Sequence, residues 1–351
     1  MKNITDIDTN FKVRAIDKKN NLEFYDVLSA PFRLYGIEYS KKSFRRIPEE
    51  IAKKTNEGVL WLHSNTAGGR IRFVTDSDTV ALRVKYNPDR IGRMQHFALT
   101  GSVGFDMYCD DIFKGTFFPG YDIKNSLEAQ LTPGAGKKTV TINMPLYSTV
   151  TQVLVGVKSG SLLQAAEDYA VEKPVVYYGS SITQGGCASR PGNSYQAILT
   201  RRLNVNHINL GFSGNAKGER VMADYIASLD MSAFVLDYDH NAPTAEHLEA
   251  THEKFFKVIR EAHPELPILM LTRPVPHLNE DEVRREEIVR RTYENALAAG
   301  DKNVYFIPGR YLVGGDVAEC ATVDGCHPND SGFLSMALVI EPVLRTMLGL
   351  N

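Results

Sequence analysis

The chain has 351 residues, of which 43% are hydrophobic, and its 40 basic and 42 acidic residues leave a formal net charge of −2. This length corresponds to roughly two domains with a substantial core, which argues against disorder. Because the charge is balanced, nothing attracts the chain to nucleic acid or to an anionic membrane, and we expect a small or neutral partner.

We expect no targeting signal at the beginning of the chain. Residues 1–12 are polar, and no stretch reaches the roughly 18 apolar residues of a membrane span. The cysteines show neither zinc-type spacing nor the density of a disulfide scaffold, which favours reduced thiols; they are Cys109, Cys187, Cys320 and Cys326. We therefore expect a cytoplasmic protein, with a removed signal peptide as the alternative, that could form a homo-oligomer.

The first half of the chain has the period of β-strands. Residues 69–75, 79–86 and 138–144 alternate between apolar and polar side chains, and turn-forming clusters separate them. The pattern predicts an antiparallel β-sandwich, or jelly roll, for residues 1–172. Residues 162–169 could form a short helix that leads into the second half.

After residue 172 the pattern changes to strands alternating with helices. Such a pattern predicts a three-layer, doubly wound parallel sheet over residues 173–351, with ligands at the carboxyl ends of its strands. The predicted strands are residues 175–178, 207–210, 233–237, 268–272 and 304–307, and the predicted helices are residues 194–203, 220–229, 246–263, 281–299 and 331–348.

A serine and an Asp-x-x-His motif are the candidate catalytic groups. Ser181 follows the first of these strands in a turn of small residues, where its hydroxyl would be presented. In the segment Asp324-Gly325-Cys326-His327-Pro328, the spacing lets Asp324 accept the Nδ1 proton of His327 and leaves Nε2 free to take a proton from a serine hydroxyl. Together these residues predict nucleophilic catalysis on an acyl group.

Acyl transfer also needs hydrogen-bond donors for the oxyanion. Gly214 follows the second strand and could offer its backbone N–H, and Asn241 follows the third and could offer its side-chain amide. With the N–H of Ser181, this gives three candidate donors.

These residues resemble the SGNH, or GDSL-type, esterase and lipase superfamily. The resemblance implies a flavodoxin-like catalytic domain with Ser181 as nucleophile, Gly214 and Asn241 in the oxyanion hole, and His327 as base. The string from Gly179 to Gly192 is similar to a bacterial subgroup with an N-terminal β domain and a Gly-x-Asp-Leu-Tyr motif. Here that motif reads Gly104-Phe105-Asp106-Met107-Tyr108.

Two positions depart from the family pattern. Ser180 replaces the acidic residue that usually precedes the nucleophile, and the third block reads Asp-x-x-x-Asn where many relatives have Gly-x-Asn-Asp. His240 or Asp239 could therefore face the site in place of Asn241. Cys326 is interpreted as a small filler beside His327, with a functional thiol as the alternative.

No metal or organic cofactor is expected. The histidines of the 246–263 helix lack metal-ligand spacing and are interpreted as surface residues; they are His247, His252 and His263. Arg190 is interpreted as a solvated side chain. Aromatic residues of the first half could form a sugar-stacking face but are more typical of a core; they are Trp61, Tyr86, Tyr108, Phe117, Phe118 and Tyr121.

The sequence therefore predicts a serine esterase that removes short acyl groups, acetyl above all, from a carbohydrate or another hydroxylated small molecule. A lipase or thioesterase with the same chemistry is one alternative. A glycan-binding protein on an inactive esterase scaffold is another. The N-terminal half could bind carbohydrate or form a wall of the esterase cleft.

Overall fold

The computed structural model describes residues 4–350, and its first half contains mostly short antiparallel strands. The strands are β1 Leu22–Asp26, β2 Arg33–Tyr35, β3 Glu38–Ser40, β4 Ser43–Arg45, β5 Arg70–Thr75, β6 Val80–Tyr86, β7 Phe105–Cys109, β8 Ile112–Phe117, β9 Ser126–Leu131, β10 Lys138–Asn143, β11 Val150–Lys158 and β12 Leu163–Gln164. The helices are α1 Ile4–Ile7, α2 Glu49–Thr55, α3 Glu57–Leu62 and α4 Leu99–Ser102.

Two antiparallel sheets enclose the core of this region. One has four strands in the order β1-β11-β6-β9; the other has six, in the order β12-β5-β10-β7-β8, with β2 also paired to β5. Alternate residues such as Leu82 and Val84 of β6 and Val140 and Ile142 of β10 are buried in one shared cluster. The period of two in the sequence therefore arises because each strand turns one face to this core, and the prediction of antiparallel sheets is confirmed.

The second half alternates parallel strands with helices. Its strands are β13 Val171–Gly179, β14 Val205–Gly211, β15 Ala233–Asp237, β16 Ile268–Leu271 and β17 Val304–Ile307. Its helices are α5 Ser181–Gln184, α6 Tyr195–Leu203, α7 Arg220–Ala227, α8 Ala245–Ala262, α9 Glu280–Ala298 and α10 Asp330–Leu348.

The five strands form one parallel sheet in the order β14-β13-β15-β16-β17, which is the 2-1-3-4-5 order of flavodoxin-like folds. Both faces of this sheet are buried. On β13, Val176 and Tyr178 face a core that contains residues of α7, α8 and α9, whereas Val175 and Tyr177 face residues of α6 and α10. This confirms the predicted three-layer fold and explains why the strands read as continuous apolar runs.

Two helices of the first half, α2 and α3, contribute to the core on one face of the parallel sheet. Ala52 of α2, together with Val59 and Leu62 of α3, is buried in the same core as residues of β13 and α7. No helix was expected near residue 57, because this stretch is too short to show helical periodicity. The two halves of the chain therefore share a hydrophobic core.

Three details differ from the sequence predictions. Residues 162–169 do not form a helix, because Leu163 and Gln164 pair with β5 and extend the six-stranded sheet. His252 is only 1% exposed and bonds Thr292 on the neighbouring helix, so its interpretation as a surface residue was wrong. Tyr86, Tyr108 and Phe117 are buried in the core, so these three of the six aromatic residues do not belong to an exposed sugar-stacking face.

Helix α10 is long and apolar enough to cross a membrane by length and composition alone, with a mean hydropathy of 1.3. It does not contain 18 consecutive apolar residues, because Asp330, Glu341 and Arg345 lie within it. The inner side of the helix lies in the protein core, where Phe333, Met336 and Ile340 are fully buried. A buried core helix meets the same criteria, so the helix is weak evidence for a membrane span.

Candidate active site

The candidate nucleophile lies at the carboxyl end of the central strand β13. β13 ends at Gly179, the Ser180 side chain caps α5 by accepting a hydrogen bond from the Ile182 N–H, and Ser181 is the first residue of that helix. A Cβ on Gly179 would lie 2.2 Å from Oγ1 of Thr183, so only glycine fits at this turn. The turn holds Ser181 at a helix N-terminus with 6% of its surface exposed.

Ser181, His327 and Asp324 form a continuous hydrogen-bond chain. Oγ of Ser181 lies 2.9 Å from Nε2 of His327, and Nδ1 of His327 lies 2.8 Å from Oδ2 of Asp324. The other Asp324 oxygen accepts the backbone N–H of His327 at 2.7 Å and that of Cys326 at 3.0 Å. This turn fixes the imidazole with Nε2 directed at the serine, which is the arrangement that a general base requires.

The charges of this turn depend on Cys326. A hydrogen bond with Cys326 raises the pKa of His327 to about 9. Burial acts to lower this pKa, and the hydrogen bond with Asp324 raises it further. Burial acts to raise the pKa of Cys326 itself, but hydrogen bonds with His240 and His327 lower it to about 6. Burial likewise opposes the charge of Asp324, whose pKa the His327 N–H groups lower to about 2. The contact between the two side chains therefore favours the charged form of each, the thiolate of Cys326 and the imidazolium of His327.

Two backbone N–H groups are available near Ser181. Within residues 4–350, neither the Ser181 N–H nor the Gly214 N–H has a hydrogen-bond partner. Gly214 has a φ of +68°, which glycine adopts without strain, and a Cβ there would meet no atom within 4 Å. Both groups can therefore donate to a bound oxyanion.

In the turn that follows β15, Asn241 and His240 contact different parts of the site. Asn241 is 9% exposed, and its Nδ2 donates one proton to the carbonyl of Phe212 at 2.9 Å, which leaves the second amide proton free. His240 lies 3.3 Å from the Cys326 sulfur through its Nε2. Asp239 is buried, and one of its oxygens accepts the Arg273 N–H. His240 thus contacts the loop of His327, whereas Asn241 contacts the loop of Gly214.

The N-terminal half supplies one wall of the site. The rings of His96 and His327 have centroids 5.7 Å apart, and the Tyr147 hydroxyl donates to the Ser181 carbonyl at 3.3 Å. A Cβ on Gly186 would lie 3.0 Å from the Tyr147 hydroxyl and 3.4 Å from Cδ2 of His327, so Gly186 lies close to both side chains. Of the two roles considered for this half of the chain, the structure thus provides contacts for the formation of a wall.

A buried arginine supports the loop that contains Gly214. Arg46, which follows β4, is 3% exposed and donates to the carbonyls of Gly211 and Asn209, the latter at 3.3 Å. It also donates to carbonyls of its own half, at Leu62 and Asn65. Because it links the end of β14 to the N-terminal half, Arg46 fixes the start of this loop.

The Gly-x-Asp-x-Tyr motif holds the segment that follows the nucleophile helix. Asp106 is fully buried and accepts hydrogen bonds from Asn143 at 2.7 Å, the Gly192 N–H at 2.8 Å and Arg190 at 3.1 Å. The Tyr108 hydroxyl accepts a second bond from Arg190. Arg190 is therefore an ion-pair partner in a contact between the two halves, and its interpretation as a solvated side chain was wrong.

Sequence reasoning did not assign His96, Tyr147 or Arg46 to the site. Each belongs to the first half, more than 30 residues before the nucleophile, and none lies in a recognisable motif. A histidine and a tyrosine in turn regions carry no periodic signal. The motif around Asp106 indicated that the first half accompanies this catalytic domain, but not which side chains reach the site.

Both halves of the chain match known family models. Residues 172–345 match the GDSL-like lipase/acylhydrolase family, and residues 22–163 match GxDLY, the N-terminus of SGNH-hydrolase-type esterases. No curated protein matches the chain.

Solved structures resemble the chain over nearly its full length. A putative GDSL-like lipase from Bacteroides ovatus is 29% identical with a TM-score of 0.84, covering 94% of this chain and 99% of that one. The salicylyl-acyltransferase SsfX3 from a tetracycline biosynthetic pathway is 22% identical with a TM-score of 0.76 and the same coverage. A family two carbohydrate esterase from Clostridium thermocellum, in complex with cellohexaose, is 14% identical with a TM-score of 0.62, covering 91% and 99%. The last two similarities show the fold alone.

Proposed function

From the premise that the chain belongs to the GDSL-like lipase/acylhydrolase family and is a carboxylic ester hydrolase, we propose that it is a serine esterase. In this proposal it removes acetyl and other short acyl groups from hydroxylated substrates, carbohydrates above all. The observation that supports this most is the hydrogen-bond chain from Ser181 through His327 to Asp324, with distances of 2.9 and 2.8 Å.

In the proposed mechanism, Ser181 attacks the ester carbonyl while Nε2 of His327 accepts its proton. Asp324 keeps the imidazole oriented and stabilises its positive charge. His327 then donates the proton to the leaving alkoxide and activates water for hydrolysis of the acyl-enzyme. The N–H groups of Ser181 and Gly214, with the free amide proton of Asn241, stabilise the oxyanion.

The short acyl preference is supported by the surroundings of Ser181. Tyr147 and His96 form the wall beside the nucleophile, and they place a phenol and an imidazole ring there. The preference for a carbohydrate is supported by the likeness of fold to the family two carbohydrate esterase described above, which covers 91% of this chain.

The test is hydrolysis of the p-nitrophenyl esters of acetate, butyrate, octanoate and dodecanoate by the parental protein and by Ser181→Ala. We expect turnover that depends on Ser181 and falls with chain length. Release of acetate from acetylated xylo- and cello-oligosaccharides then tests the substrate class, with a simple acetylated polyol for comparison.

Each outcome has a defined meaning. Rates that rise with chain length would favour a lipase, which is how the 29%-identical neighbour is described. Near-parental turnover in Ser181→Ala would refute the assignment of the nucleophile. If the folded protein hydrolyses no ester yet binds oligosaccharides, the glycan-binding alternative would replace the proposal.

A further inference from the structure

Imidazole and thiol side chains from three separate segments meet beside Ser181. The ligating atoms of His96, Cys187 and His327 all lie within 4.8 Å of one another. His96 comes from the segment before α4, Cys187 from the loop after α5, and His327 from the loop before α10. Only His327 takes part in the hydrolysis proposed above. His96 and Cys187 take no part in its chemical steps.

The donor atoms of this cluster suit a soft divalent cation. Imidazole nitrogen and thiolate sulfur favour Zn²⁺ and its neighbours over Mg²⁺ and Ca²⁺, which prefer oxygen ligands. Tetrahedral zinc bonds of about 2.0–2.3 Å place neighbouring ligand atoms about 3.3–3.8 Å apart. Separations of at most 4.8 Å can close to this range through a small rotation of the exposed His96 side chain towards Cys187, which is 6% exposed.

Metal binding at His327 excludes its use as a base. An imidazole has two nitrogens, and here Nδ1 contacts Asp324 while Nε2 contacts Ser181. A cation on Nε2 removes the proton acceptor of the serine, and a cation on Nδ1 removes the bond that orients the ring. Whichever nitrogen binds the metal, one contact of the catalytic chain is lost.

We propose that His96, Cys187 and His327 form an inhibitory site for a soft divalent cation such as Zn²⁺. On binding, the Cys187 thiol releases its proton to solvent as the sulfur–metal bond forms, any protonated imidazole likewise releases its proton to solvent before its nitrogen binds, and no group changes oxidation state. A water molecule completes the four-coordinate site. The loss of activity rests on the proposed function of His327, whereas the binding itself does not.

Metal binding is tested with Co²⁺ and the Ser181→Ala protein, which retains all three ligands and needs no activity for its readout. A thiolate bound to Co²⁺ gives an intense near-ultraviolet charge-transfer band. We expect this band in Ser181→Ala and its loss when Cys187→Ser is added. His96→Gln, at an exposed position that should not affect folding, should weaken Co²⁺ binding by about tenfold or more.

Inhibition is tested by Zn²⁺ titration of ester hydrolysis, with each variant compared with its own metal-free rate. We expect reversal by a chelator, no effect of Mg²⁺ at the same concentration, and a half-inhibiting Zn²⁺ concentration at least about tenfold higher in His96→Gln. Cys320→Ser and His277→Gln are matched controls, because both residues are exposed and outside the cluster. They should retain the parental Zn²⁺ sensitivity.

Three results would overturn the proposal. The first is no charge-transfer band in folded Ser181→Ala at saturating Co²⁺. The second is a band that Cys326→Ser removes and Cys187→Ser does not, which would assign the metal to the other thiol near His327. The third is an unchanged half-inhibiting Zn²⁺ concentration in His96→Gln. If the protein hydrolyses no ester, the proposed function fails while the Co²⁺ spectra still decide whether the site binds metal.

Discussion

Replacement of Cys326 by serine should shift the pH dependence of hydrolysis. Cys326 is the largest cause of the elevated His327 pKa of about 9, and its own pKa of about 6 makes it a thiolate at neutral pH. Serine retains the size of the side chain but does not ionise. Without the thiolate the imidazolium is less stable, so the pKa of His327 falls.

The size of the effect follows from the fraction of neutral His327, since only the neutral imidazole can act as a base. At pH 7 an imidazole with a pKa of about 9 is neutral in roughly one molecule in a hundred, whereas at the ordinary value of about 6.5 it is neutral in about three of four. The upper limit is therefore an increase of about 75-fold in kcat/KM at pH 7. Because Asp324 still favours the charged ring, we expect about tenfold.

The assay is kcat/KM for p-nitrophenyl acetate from about pH 5 to about pH 10. A chelator keeps His327 free of metal, and Ser181→Ala provides the blank. The parental profile should rise around pH 9, the Cys326→Ser profile should rise at lower pH, and the two should meet at the alkaline end. Cys320→Ser, at an exposed cysteine, should follow the parental profile. Coincident profiles for the parental protein and Cys326→Ser would refute the argument that the thiolate controls His327.

Two further substitutions test the proposed oxyanion donor Asn241 and the buried carboxylate of Asp106. Asn241→Ala should lower kcat by about a hundredfold or more with little change in KM, because loss of one oxyanion donor costs about 2.7–4 kcal/mol; a comparable loss in His240→Ala but not in Asn241→Ala would assign the donor to His240 instead. Asp106→Ala should lower the free energy of unfolding, measured in urea, by about 3–5 kcal/mol. The substitution removes the acceptor of three hydrogen bonds and leaves Arg190 without its partner carboxylate. The control is exposed Asp122→Ala, and a loss below about 1 kcal/mol for Asp106→Ala would contradict this account.

Much of the fold could be predicted because its periodicities are physical consequences of burial. β15 and β16 are buried on both faces, so they read as short apolar runs between helices. β6 and β10 turn one face to a core, so they alternate. Residues 162–169 could not be predicted in this way, since the two residues of β12 are too few to show a period and take their conformation from pairing with β5.

The local part of the candidate site was also predictable. Asp324 and His327 are three residues apart in one turn, so the chain alone places the carboxylate against Nδ1. The position of Ser181 followed from the strand before it and the small residues around it. The choice between Asn241 and His240 could not be made, because they are adjacent in one turn and only the packing of that turn separates their directions.

The sequence by itself determined the order of the parallel strands and long helices of the second half, the turn that presents Ser181 and the pairing of Asp324 with His327. All of these depend on neighbours along the chain. Only the tertiary structure decided that His96 and Tyr147 form a wall of the site, that Arg46 fixes the loop of Gly214 and that Cys187 lies beside His327. These contacts join segments far apart in sequence, and since each depends on the packing of one half against the other, no local pattern records it.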